Sequence, residues 1–110
     1  MNREEGIKRL ETAFYDSIDE AFEAFGGRNF KRVIVFNMKK DQNLEWNAIL
    51  HKPEALSLEL EKIFGSTSEI IERKILKTLS KKLNDGSVLA DDLSFEEIIR
   101  RLMRKAILKS

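Results

Sequence analysis

The chain of 110 residues has no cysteine and only one proline, one histidine and one glutamine. Without cysteine, disulfides and thiolate metal sites are excluded. With a single histidine and no thiol, no familiar nucleophile–base pair and no zinc spacing can be written. A surplus of one charge sign is also missing. Twenty basic residues stand against 19 acidic ones, a net charge of +1, which gives no global attraction for nucleic acid or membrane. No apolar run approaches a membrane span, and the opening "MNREEGIKRL" lacks a signal-peptide core. The expectation is a cytoplasmic protein with no membrane partner. What is present is 42% apolar and 35% charged residues, the composition of one globular domain over 1–110. Abundant Glu, Lys, Arg and Ile also suit a thermophile.

The punctuation favours helices, because glycine falls at breaks and hairpin turn chemistry is scarce. Ile7, Leu10, Phe14, Ile18, Ala21, Phe22 and Phe25 recur at helical spacing and predict a first helix over Arg3–Phe25, stopped by Gly26-Gly27. "RNFKRVIVFNMKKD" reads in two ways. Val33 to Phe36 suit a buried strand, but Phe30, Val33, Ile34 and Met38 share one helix face. A lone strand would have no partner, so helix is preferred. Apolar residues all round predict a central helix. "NLEWNAILH", 43–51, is a short helix or turn. Pro53 suits the first position of a third helix ending at Phe64, with Leu56, Leu60, Ile63 and Phe64 buried. Gly65 breaks it, and Ser66 with Glu69 predicts a capping box for a fourth helix to about Leu83. Asn84-Asp85-Gly86 reads as a helix stop. Ser94 with Glu97 makes a second capping box for a fifth helix, 95–108, with Leu93 as a staple onto Ile98. The predicted fold is therefore an all-α bundle of about five helices.

Chemical motifs are thin. His51 reads as a surface or helix-end residue, and Asp91-Asp92 as the negative lead-in to the last helix. No phosphate-binding glycine loop or dinucleotide fingerprint occurs. The expectation is no enzyme activity, no catalytic residue, no cofactor and no metal. Basic residues do cluster, around Arg28, Lys31, Arg32, Lys39 and Lys40, around Arg73, Lys74, Lys77, Lys81 and Lys82, and around Arg100, Arg101, Arg104 and Lys105. Phosphate contacts need such clusters, and Arg28, Arg32, Arg73 and Lys77 are the candidate contacts. Solvated helix faces look the same. "FGSTSEIIERKILKTL" suggests a helix-turn-helix, but Glu61 stands where a small residue is needed and Lys74 where an apolar one is. Glu69 and Glu72 would repel a phosphate backbone. A structural corner is the better reading.

Glu72 falls inside the stripe formed by Ile71, Ile75, Leu76, Leu79 and Leu83. It is either a stripe-edge carboxylate reaching solvent or a partly buried one tied to a basic residue or a helix N-terminus. Glu11 raises the same question on the first helix. Ile70 and Leu108 lie off the packing stripes of the fourth and fifth helices, and Trp46 is an aromatic in a short connecting segment; all three are candidate interface residues. Surplus apolar positions on short helices predict a homodimer.

Ser17-Ile18-Asp19-Glu20-Ala21-Phe22, then Leu56, Leu60, Ile63-Phe64-Gly65, Ile71-Glu72, Ile75-Leu76 and Leu79, resemble a group of small archaeal all-helical domains. These occur alone or as output domains of signalling proteins. The resemblance covers about 10–84. It implies helix over 30–38, a structural role for Glu72 and no catalytic residues. The expected function is protein–protein interaction or regulatory signal output, with a protein partner or a second copy. The alternative is a nucleic-acid-binding regulator using the basic faces.

Overall fold

A computed structural model describes residues 3–108. Five helices carry the chain: α1 Arg3–Phe25, α2 Gly27–Gln42, α3 Pro53–Phe64, α4 Ser68–Leu83 and α5 Phe95–Leu108. Short 3-10 turns at Trp46–His51, Gly65–Thr67 and Gly86–Leu89 join them. Among the described residues there is no strand, and no helix is long and apolar enough to cross a membrane. The radius of gyration, 13.5 Å, is close to the ~13 Å of a packed domain this size.

The central element is α1, which packs against α2, α4 and α5. Its buried residues Leu10, Ala13, Phe14, Ser17, Ile18, Ala21 and Phe22 follow the three-and-four spacing of a helix face. Ser17 fits this apolar row because its hydroxyl donates to the Ala13 carbonyl at 2.6 Å. Phe25, assigned to the same stripe by sequence, is exposed, since it lies on the last turn.

The two glycines after α1 do different jobs. Gly27 takes a positive φ of 72°, where a side chain is strained. Gly26 has an extended φ, but a Cβ there would lie 2.6 Å from the Phe30 ring. The missing side chain lets Phe30 fold back onto Phe22, with centroids 4.6 Å apart. Helix, not strand, is what residues 30–38 form. Their helix is not central, however. Ile34 and Met38 are buried, while Val33 and Phe36 stay exposed, because α2 rests on α1 and α3 with one face only. Asn43, left-handed at φ 51°, closes α2 by returning its N–H to the Lys39 carbonyl.

Pro53 opens α3 as expected. The α3 stripe is rotated from the sequence reading. Ala55, Leu56, Glu59 and Leu60 are buried and Ile63 is exposed. Phe64 instead turns inward and stacks on Phe30 at 4.7 Å with rings 4° from parallel. Gly65 has φ 59° and ψ −131°, a region essentially reserved for glycine.

The Ser66–Glu69 capping box does not form. The 3-10 turn runs directly into α4, Thr67 is itself helical, and no side chain caps the helix. The backbone of the turn thus takes the role a serine hydroxyl would have had. The Ser94 cap does form: the Glu97 N–H donates to Ser94 Oγ at 3.2 Å. The serine hydroxyl in turn donates to Glu97 Oε1 at 3.0 Å. One contiguous core joins α1 to α5, with Val88 of the last 3-10 turn.

Candidate functional site

Glu72 lies at the corner between α3 and α4. It is half-buried, and its carboxylate accepts a short hydrogen bond from the Ser57 hydroxyl of α3. Glu61, Glu69, Ser66 and Ser68 line the same open cleft. Burial is the main influence raising the Glu72 carboxyl above its ordinary value. The Ser57 bond opposes it, and the negative Glu69 and Glu61 add to it. The partner is therefore a neutral hydroxyl, and neither a basic residue nor a helix N-terminus. Glu11 is exposed, a stripe-edge residue.

The raised value fixes a sign. In this case the folded state takes up the proton at higher pH than the unfolded chain does. The site disfavours folding while Glu72 is ionised, and this penalty disappears as pH falls through the raised folded value. Glu72→Gln should therefore raise stability at neutral pH, by less than about 1 kcal/mol. The gain should vanish towards about pH 4, where an unfolded glutamate also protonates. Urea midpoints at the two pH values check this.

Sequence reasoning missed Glu59. It is 1% exposed, and Gln42 Nε2 at the end of α2 donates to its Oε2 at 2.7 Å. The same Nε2 donates to the Ala55 carbonyl at 3.0 Å. Lys62 approaches Oε2 at 3.8 Å, and Oε1 is buried with no hydrogen-bond partner among the described residues. Helical phase was the available signal: Glu59 falls between Ala55 and Ile63 on the α3 wheel.

The candidate nucleic-acid residues divide between two helices. Arg28 and Arg32 are exposed on α2, and no carboxylate pairs with them among the described residues. Arg73 on α4 is held by Asp91 at 2.8 Å. Lys77 is exposed and lines a shallow groove with Glu69, Ile70, Arg73 and Lys74. In the third cluster Arg100 bonds Glu54 at 2.5 Å and Lys105 bonds Asp85 at 2.9 Å. Asp85 also accepts from Ser87, and the Ser87 and Lys105 bonds lower its carboxyl to about 2. The helix stop read at Asp85 is thus also a tether from the α4 end to α5.

The three candidate interface residues separate. Trp46 is packed against the core, 6.2 Å from Tyr15 and 6.0 Å from Phe22 between centroids. Lys31 Nζ sits 5.3 Å over its ring. A segment that looked like a surface connection half-buries its indole, which rests against Tyr15 and Phe22 of α1 and Lys31 of α2. Ile70 and Leu108 are 60% and 75% exposed. Phe36 on α2, 65% exposed, joins them and was hidden by the expectation that α2 is central. His51 is exposed. Among the described residues no cluster of three or more His, Asp or Glu has metal-holding geometry. No family model, curated protein or solved structure matches the chain.

Proposed function

We propose that this domain is a non-enzymatic protein-interaction module of a regulatory, signal-output kind, and that it self-associates. The supporting observation is that large apolar side chains stand outside the core on helices whose inner faces are already filled. Phe36, Ile70 and Leu108 are each at least 60% exposed. Single exposed apolar residues are ordinary. Ile70 lies in a groove on α4 between Arg73, Lys74 and Lys77, the arrangement of an apolar contact within a polar rim. The resemblance of 10–84 to signalling output domains points the same way.

Light scattering over a concentration series should return a mass above that of the monomer. The double variant Ile70→Glu, Leu108→Glu should restore the monomer while leaving helix content unchanged. A wild-type monomer at every concentration would remove self-association from the proposal.

A second reading has its own support in Arg28, Arg32 and Lys77, exposed cations with no ion pair among the described residues. Duplex binding that weakens steeply with salt, and that fails when these three are replaced by alanine, would favour a nucleic-acid-binding regulator. The acidic corner of Glu61, Glu69 and Glu72 argues against docking a duplex at the α3–α4 turn.

A further inference from the structure

We propose that the outer face of α2 is the docking site for an acidic amphipathic helix of a partner protein; this rests on the interaction-module reading and gives it a surface and a partner chemistry. Arg28, Arg32, Phe36 and Lys40 are four residues apart in sequence and so form a single row along α2. Val33 lies beside Phe36. All five are exposed, Phe36 at 65% and Val33 at 47%. The row is opposite the buried Ile34 and Met38, so it contributes nothing to the core. From Arg28 to Lys40 it extends about 18 Å, three helical turns.

The cations of this row have no carboxylate among the described residues. Other cations of the molecule do find acids, as Lys31 with Asp19, Lys82 with Glu20 and Arg73 with Asp91, while Arg28 shares a small pocket with Asp19 and Glu23 without bonding either. The α2 row presents an apolar centre of phenylalanine and valine, flanked by arginine and lysine that form no ion pair among the described residues. That is the composition of an interface centre with a charged rim, and it selects a negative partner.

Three other occupants fit less well. A second copy using the same face would set Arg28, Arg32 and Lys40 against their own equivalents, a like-charge contact. A duplex would satisfy the cations but would leave Val33 and Phe36 against phosphate and sugar. A lipid surface needs a broad apolar face for insertion, and the broad apolar face of α2 is the one already packed on α1 and α3. A helix carrying glutamate around two or three leucines satisfies both the row's centre and its rim by helix-on-helix packing.

The test is a titration of the isotope-labelled full chain, read by amide chemical shifts. The main probe is a synthetic helical peptide of leucine and glutamate, about three to four turns long. The controls are the same peptide with lysine for glutamate, a DNA duplex, and phosphatidylserine vesicles. The acidic peptide should shift residues 28–40 selectively. Phe36→Ala and, separately, Arg32→Glu should each weaken it about tenfold, with unchanged circular dichroism because both side chains are exposed. The lysine peptide should not bind.

Shifts elsewhere than α2, equal binding of the lysine peptide, or an α2 row that responds to protein concentration alone would overturn the inference. If the acidic peptide leaves α2 unmoved while Ile70 and Leu108 mediate self-association, this inference falls and the interaction-module reading stands. If the row binds only the duplex, both fall. If it binds only the vesicles, the partner is a membrane surface and the inference again falls.

Discussion

Phe22→Ala should destabilise the fold by about 3 to 5 kcal/mol, the range for deleting a fully buried aromatic ring. Phe22 is 1% exposed and sits where three separate pieces of chain converge. It is on the central helix α1, its ring lies 4.6 Å from Phe30 of α2 and 6.0 Å from Trp46 of the 3-10 turn. Phe30 in turn stacks on Phe64 at the end of α3. Removing the ring therefore leaves a cavity whose walls belong to different elements. These walls are held by a glycine turn on one side and a parallel ring stack on the other, so collapse into the space is limited. For a domain of ordinary stability, about 5 to 15 kcal/mol, the variant should unfold at a much lower urea concentration and retain a folded baseline only if the starting stability is high. Trp46 fluorescence reports the transition directly, since the indole is one of the groups that loses its neighbour. Phe36→Ala is the control. The same chemical change on the outer face of α2 should alter stability by no more than about 0.5 kcal/mol. Comparable losses in the two variants would mean that α2 is packed on both faces.

The contrast between these two phenylalanines also marks the limit of what the sequence discloses. Local signals were legible where the chemistry is local. Pro53 at the start of α3, Gly65 at its end, Asn84 at the end of α4 and the serine cap before α5 all act within a few residues of themselves. The spacing of Leu10, Phe14, Ile18 and Phe22 was enough to place α1 in the core. What failed depended on which neighbours arrive. The apolar composition of α2 is the same whether one or both of its faces are covered, so Phe36 looked buried. Trp46 lies in a segment with no periodicity, and its partial burial is decided by Tyr15 and Phe22 of α1 and Lys31 of α2. Ser66 and Glu69 have the spacing of a capping box, yet a 3-10 turn from Gly65 already supplies the geometry they would have fixed. Glu72 was singled out by phase, but its partner, Ser57, comes from another helix and was not deducible. Glu59 had the same phase signal and a stronger outcome. A glutamate among leucines is usually read as the polar side of the helix, and only the approach of Gln42 makes its burial tenable.

That approach carries the other large expected effect. Gln42→Leu should cost about 3 kcal/mol, because it strips the hydrogen-bond donor from a carboxylate that cannot reach water. In the native fold Gln42 Nε2 bridges Glu59 Oε2 at 2.7 Å and the Ala55 carbonyl at 3.0 Å. It thereby ties the last residue of α2 to the first two turns of α3. Without it, Glu59 keeps only Lys62, 3.8 Å away and also drawn to Asp41 at 3.4 Å. Oε1 already has no partner among the described residues, so the whole carboxylate would then be poorly satisfied in a site 1% exposed. The loss measures an orphaned charge more than it measures the bond, and a second substitution separates the two. Glu59→Leu alone should be close to neutral or stabilising, since it replaces a buried ion with an apolar group of similar size. Adding it to Gln42→Leu should recover most of the lost stability, giving a coupling of about 2 kcal/mol in a double-mutant cycle. If Glu59→Leu instead costs as much as Gln42→Leu and the double variant costs no more than either alone, the pair is a net stabilising contact, and the burial of Glu59 is favourable in its own right. The expected recovery would mean that the pair contributes little net stability, and that its role in the fold is to fix how the end of α2 meets α3.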